Sequence, residues 1–373
     1  MTINFDNSAT TFPKPQSVRN AVAQAVMRYG GNAGRGGHDL AVRTSEALYS
    51  ARETVADFFG AEPEDVIFTM NCTYALNMAI QGIMSEGGHL IISGLEHNSA
   101  ARPAAYLAQK RRISLSVAQV YPDDDMTVEE FRSLITPETK AIVCTLASNV
   151  TGQLTPYKRI AELCRERGIC FIADGAQACG VYDIRLSDGI NILCTAGHKG
   201  LYGITGTGLL ITDGKYSIPP LIFGGTGSAS SSLVQPDFLP DSLESGTPGI
   251  IGAVSIKAGI EFINSYGRKK LLAHEESICD TFIRGIKSSD KVTVYRDPDV
   301  HYAPIVSFNI EGIYPEKAAA KLAEQGYCLR AGYHCAALAH RQLGTPNGTI
   351  RFSPSVFSRK SDAVRLAELI NNF

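Results

Sequence analysis

The chain has 373 residues, a formal net charge of −2 and 19% charged residues. That balance lacks the basic excess that nucleic acid or an anionic lipid surface would demand, so neither is an expected partner, and a small-molecule role fits better. No run approaches the length of a membrane span, and the opening MTINFDNSATT has neither the basic region nor the apolar core of a signal peptide, so no membrane association and a cytoplasmic location are expected. Nine cysteines, an odd number without framework spacing, suit a reducing compartment in which most are small buried hydrophobes.

Short apolar runs alternate with amphipathic stretches from about Val66 to Thr212: VIFTM, HLIIS, KAIVCTLA, GICFIAD, NILCTA and TGLLIT. Continuous apolar strands joined by helical connections predict an α/β unit, a mostly parallel sheet with helices on both faces. Helical patterns over 44–59 and 73–82 precede or interleave with it, and 251–286 reads as a long helical region leaving the sheet. The segment GGTGSASSSLVQPDFLPD reads as a polar loop near the site. VSFNI, PEKAAAKLAEQG, a cysteine-bearing loop, TIRFSPS and a last helix to Phe373 predict a small C-terminal α+β domain. The length itself favours two domains; the expected division is 1–255 and 256–373, with residues 1–20 an arm that packs with the small domain.

Open α/β sheets bind ligands beyond the carboxyl ends of their strands, so the polar residues that follow each apolar run come first. HLIIS leads to His97, KAIVCTLA to Asn149, GICFIA to Asp174 and Gln177, and NILCTA to His198 and Lys199. Singly, Asp174 could be a helix cap, the histidines could be satisfied core residues and Lys199 a solvated charge. Together, an amine among glycines, an acid at the end of a buried strand and an imidazole over the same crevice match the needs of an aldehyde cofactor with a protonatable ring nitrogen, pyridoxal phosphate. A helix start at Cys72 and Thr73, in MNCTYALNMAI, offers backbone amides for the phosphate.

FDNSATTFPKP, NAGRGGHDLA, EHNSAARP, SNVTGQ, DGAQA, GHKGLYGITGTG, LESGTPGI, RAGYHCA and GTIRFS follow one another in the order of a known family. The chain resembles the class V, fold-type I pyridoxal phosphate enzymes, and within them the group II cysteine desulfurases and selenocysteine lyases. The resemblance implies that Lys199 forms the Schiff base, that Asp174 partners the ring nitrogen, and that His97 stacks on the ring. It also implies that Gln177 and Asn149 act near the phenolic oxygen and substrate, and that His198, Cys72 and Thr73 hold the phosphate. Thr247 would reach the phosphate of a second subunit, making a homodimer with shared sites. Arg351 would grip the substrate carboxylate, with Arg330 a second candidate in the same pocket.

Cys335 would be the nucleophile that takes sulfur from L-cysteine as a persulfide, releasing L-alanine, with His334 and local positive charge favouring its thiolate. The short loop around it implies that an acceptor protein collects the sulfur or selenium. One departure concerns the position where the family usually carries Ser or Thr before the lysine motif: it is Ala196, and Thr195 next to it is the candidate replacement hydroxyl. L-Selenocysteine is the alternative substrate, and transamination or β-elimination the alternative chemistry. A non-enzymatic reading, a metal or sulfur-relay module using Cys328, His334, Cys335 and His340, lacks the paired ligand spacing of zinc sites, so no metal is expected.

Overall fold

The structure, a computed structural model, describes residues 2–34, 36–287 and 289–373. Its main sheet has seven strands in the order Val66–Thr69, Gly208–Thr212, Ile192–Ala196, Cys170–Asp174, Thr139–Thr145, His89–Ser93 and Ser114–Ala118. Gly208–Thr212 runs antiparallel to both its neighbours, and the remaining pairs are parallel. The sheet is therefore mostly parallel, and helices cover both faces.

Strand periodicity divides the core into two layers. Ile91, Ile142, Phe171, Leu193 and Leu209 join one apolar cluster, while Leu90, Ile92, Val143, Ile172, Ile192, Cys194 and Ala196 join the other, beneath the helix Cys72–Ile83. Because both faces are covered, the strands read as unbroken apolar runs rather than as alternating ones.

A second sheet, antiparallel throughout, has the order Arg330–Gly332, Thr349–Phe352, Val306–Ile310 and Val292–Val294. Helices Arg268–Ile286 and Lys360–Asn371 cover it, and the rings of Phe282 and Phe352 stack 4.0 Å apart in its core. Phe5 enters this core from the N-terminal arm, whose residues Ile3–Asn4 pair in parallel with Tyr327–Cys328. Position 255 falls inside the helix Ile250–Tyr266, and the apolar residues of that helix, Ile256, Ile260 and Ile263, belong to the core of the large sheet. No helix among the described residues is long and apolar enough to cross a membrane.

Candidate active site

The carboxyl ends of the central strands and the edge of the small sheet enclose one chamber. It is lined by Cys72, Thr73, His97, Asn149, Asp174, Gln177, His198, Lys199, Arg330, Cys335 and Arg351, together with Asn71, Ser8 and Ala9. Eleven candidates scattered over some 280 residues of sequence thus converge. Two do not line it, Thr195 and Thr247.

Thr195 is a correction. Its hydroxyl donates to the Gly175 carbonyl at 3.3 Å, on the face of the sheet opposite Ala196, which itself lines the chamber. Adjacent residues on one strand must point to opposite faces, so a threonine beside Ala196 cannot replace a hydroxyl at Ala196. Thr247 is exposed and borders a separate cleft with Phe68, Met70, Tyr74, Ile222 and Pro248.

Lys199 is held by close backbone contact. A Cβ on Gly180, whose φ is +85°, would sit 2.2 Å from the Gly200 carbonyl oxygen, and one on Gly200 would sit 2.4 Å from that of Cys179. Only glycines let the DGAQACG and GHKG turns touch, and that contact fixes Lys199 relative to Asp174 and Gln177. Desolvation in the chamber pulls the Lys199 amine below its usual range, while Asp174 opposes the fall.

Asp174 is only 2% exposed. Its Oδ1 accepts the Ala176 N–H at 2.9 Å and the Cys72 thiol at 3.5 Å, and its Oδ2 accepts no hydrogen bond among the described residues. Burial raises its pKa, and the Ala176 N–H, the Lys199 amine and the Cys72 thiol oppose that rise. The Cys72 side chain therefore points at Asp174, so of the phosphate role assigned to Cys72 only its backbone amide is available. That amide and the one of Thr73 lie in the first turn of Cys72–Ile83, which Asn71 caps by accepting the Tyr74 N–H at 3.0 Å. Gly208 packs against this start, since a Cβ there would lie 2.4 Å from the Asn71 backbone.

His97 caps the helix Asn98–Gln109 and accepts the Ser99 N–H at its Nδ1, 3.0 Å away. Its ring proton is thus on Nε2. Burial, reinforced by Lys199, Arg330 and Arg351, depresses it to about 4, so the ring is neutral near pH 7. His198 is likewise depressed to about 4 by burial and by Lys199 and Lys14, and its buried Nδ1 has no partner among the described residues. The Asn149 Nδ2 donates to the His334 carbonyl at 2.8 Å, leaving Oδ1 buried without a partner among the described residues, and the Gln177 Nε2 donates to the Ser8 carbonyl at 3.2 Å.

Arg330 and Arg351 stand directly opposite each other on neighbouring antiparallel strands. Like charges in that position destabilise a sheet, and the pair makes sense where both guanidinium groups serve an anion in the chamber. Arg351 is 1% exposed; it donates to the Asn149 carbonyl and to Asp6 Oδ1, both at 2.8 Å, while its buried Nε has no partner among the described residues. Nothing in the local pattern of FDNSATT marks Asp6 as a partner of Arg351, which only the tertiary contact reveals. Glu96, next to His97, is likewise unmarked by its local sequence. It is fully buried against Ser93 and the Thr145 N–H, each at 2.6 Å, and desolvation raises it to about 8.

Cys335 is the one exposed thiol among the described cysteines. It borders both the chamber and an outer groove formed by Asn77, Gln81, Asn98, Arg102 and Tyr106. His334 and Cys335 both have positive φ, +48° and +57°, which side chains rarely tolerate and which costs on the order of 1–3 kcal/mol each. The strained turn projects the sulfur. His334 is not the cation beside it: its Nε2 lies 3.0 Å from the Thr349 carbonyl, and burial holds the ring far below the usual histidine range, hence neutral. The positive neighbour is Arg330, whose Nη2 lies 3.6 Å from the sulfur. Among the described residues no three His, Cys, Asp or Glu gather as a metal site; His340 turns its Nδ1 to Thr345 at 2.8 Å instead.

The Aminotransferase class-V profile matches residues 3–366. The chain belongs to that family. It is 30% identical to a probable cysteine desulfurase of Methanothermobacter thermautotrophicus over 376 residues, covering 98% of this chain and 93% of the relative. A probable cysteine desulfurase of Pyrococcus abyssi is also 30% identical, over 95% of this chain and 90% of its own length. Among solved structures, a cysteine desulfurase of Thermococcus onnurineus superposes with a TM-score of 0.91 at 28% identity, covering all of this chain and 94% of that one. The S-sulfonic acid form of an Escherichia coli cysteine desulfurase gives 0.89 at 25% identity, with coverage of 100% and 94%. The expected α/β, fold-type I architecture is thereby confirmed.

The family depends on pyridoxal phosphate, and the chamber fits it. The amine of Lys199, the open Oδ2 of Asp174, the unpartnered Nδ1 of His198 and the helix start at Cys72 and Thr73 are the groups an aldehyde, a ring nitrogen and a phosphate require.

Proposed function

We propose that this chain converts L-cysteine to L-alanine and carries the sulfur away as a persulfide on Cys335. The carrying observation is the placement of one exposed cysteine, a guanidinium beside it, on the rim of a chamber that also holds Lys199 and Asp174. Bound pyridoxal phosphate supplies an aldehyde for an amine and a protonated ring able to take up an electron pair.

The residues of the chain do the rest. Lys199, with its amine depressed by desolvation, is the attachment point and, once free, the base that removes the Cα proton. Asp174 holds a proton on the ring nitrogen through Oδ2. His97, neutral and capped in place, covers the ring and offers its Nε2–H. His198 and the amides of Cys72 and Thr73 take the phosphate, and Gln177 and Asn149 orient the ring oxygen and substrate. Arg351 and Arg330 receive the substrate carboxylate, a planar anion suited to guanidinium. The Cys335 thiolate attacks the substrate sulfur: an S–S bond forms, the C–S bond breaks, and its electron pair stays with the carbon that becomes the alanine methyl.

We read Thr247 as reaching the phosphate in a second subunit, which makes the active unit a homodimer. Its exposure beside the apolar Met70 and Ile222, outside the chamber of its own chain, supports that reading. The outer groove at Cys335 is where an acceptor protein would collect sulfur. The experiment is release of alanine from L-cysteine by purified protein supplied with pyridoxal phosphate, beside Lys199→Ala. The wild type is expected to turn yellow and release alanine, and the variant to do neither while remaining folded. A colourless wild type that releases no alanine refutes the function.

A further inference from the structure

The thiol of Cys72 has no place in the reaction described above, yet it stands 3.5 Å from Oδ1 of the carboxylate on which the ring nitrogen depends. It opens the helix Cys72–Ile83, and its side chain turns inward to a 7% exposed position while the neighbouring Thr73 is exposed. The Ala176 N–H occupies the same oxygen at 2.9 Å. Two donors thus converge on Oδ1, and Oδ2, on a side chain 98% buried by its 2% exposure, is left open to the chamber. A carboxylate pinned through one oxygen has one orientation in which to present the other.

The geometry points to Cys72 as a positioning residue that locks the Asp174 carboxylate, through an S–H···Oδ1 hydrogen bond, with Oδ2 directed at the ring nitrogen of the cofactor. This rests on the reading of Asp174 as the ring-nitrogen partner. The thiol serves as a donor because burial and the adjacent Asp174 keep it protonated, well above the ordinary cysteine range. It is the opposite of the chemistry asked of Cys335, which must lose its proton. Two cysteines in one chamber are therefore separated in role by environment: one exposed beside a guanidinium, the other dry beside a carboxylate.

The test compares Cys72→Val, which keeps much of the volume and removes the donor, with Cys72→Ser, which keeps a donor. Apo-protein of each is titrated with pyridoxal phosphate, and each holoprotein is assayed by NMR for exchange of the alanine Cα proton with deuterated solvent. Cys72→Val is expected to weaken cofactor binding and slow exchange by about threefold to tenfold, the scale of one weak hydrogen bond to a charged group. Cys72→Ser is expected to recover most of both. A valine variant that matches wild type in both readouts, or a serine variant that fails as the valine one does, overturns the positioning role. Wild-type apo-protein that takes up no pyridoxal phosphate refutes the cofactor reading itself, a separate and recognisable result.

Discussion

The Nη2 of Arg330 lies 3.6 Å from the sulfur of Cys335, at the mouth of the chamber that holds Lys199. From there the guanidinium donates to the sulfur and, lining the chamber, is placed to receive the carboxylate of an incoming amino acid. Arg330→Gln should therefore raise the KM for cysteine by about tenfold, the factor carried by about 1.4 kcal/mol. A KM equal to that of wild type would remove Arg330 from substrate binding.

Cys335→Ala should nearly abolish alanine release from L-cysteine while still allowing a spectral change on substrate addition. Selenium is held more weakly by carbon and leaves more readily as an anion, so release from L-selenocysteine should survive better. Turnover of cysteine at the wild-type rate would remove Cys335 from the reaction.

Asp6 and Arg351 join the N-terminal arm to the small sheet across 345 positions of sequence at 2.8 Å. Asp6→Ala leaves a buried guanidinium without its carboxylate. The expected loss is about 1–3 kcal/mol of stability, below that of a wholly buried pair because Asp6 keeps contact with water. Saturating alanine, whose carboxylate can replace the lost partner, should restore part of it in the holoprotein. A melting temperature equal to wild type would show that the pair is idle.

Glu275 is buried on the helix Arg268–Ile286, 3.4 Å from the Tyr202 hydroxyl in the large domain, and desolvation raises it from the usual carboxyl range to about 8. The folded state then binds a proton that the unfolded state releases, so stability from this group is present below about pH 4.5 and declines as pH rises toward 8. Glu275→Gln removes that dependence. The variant should melt close to wild type at pH 5 and above it at pH 8.5. Parallel melting curves at both values would contradict the assignment.

The strand ends were legible because a buried parallel strand is a continuous apolar run, and the first polar residues after it fall at the carboxyl edge where ligands bind. His97, Asn149, Asp174, Gln177, His198 and Lys199 were placed in the chamber by that rule alone. Thr195 could have been excluded by the same means, since a residue next to Ala196 on one strand faces away. Other features depended on contacts between distant segments. The turn of Cys72 toward Asp174 depends on how the helix meets the strand Cys170–Asp174, 102 positions later. The choice of Arg330 over His334 as the cation beside Cys335 depends on a turn with two positive φ angles, which buries the imidazole against Thr349. The pairing of Asp6 with Arg351 depends on the arm crossing to the far domain. Local chemistry and periodicity are written residue by residue, so they determined the fold class and the stock of reactive groups. Side-chain direction and partnership follow from which surfaces meet when the chain closes on itself, and the tertiary structure decided those.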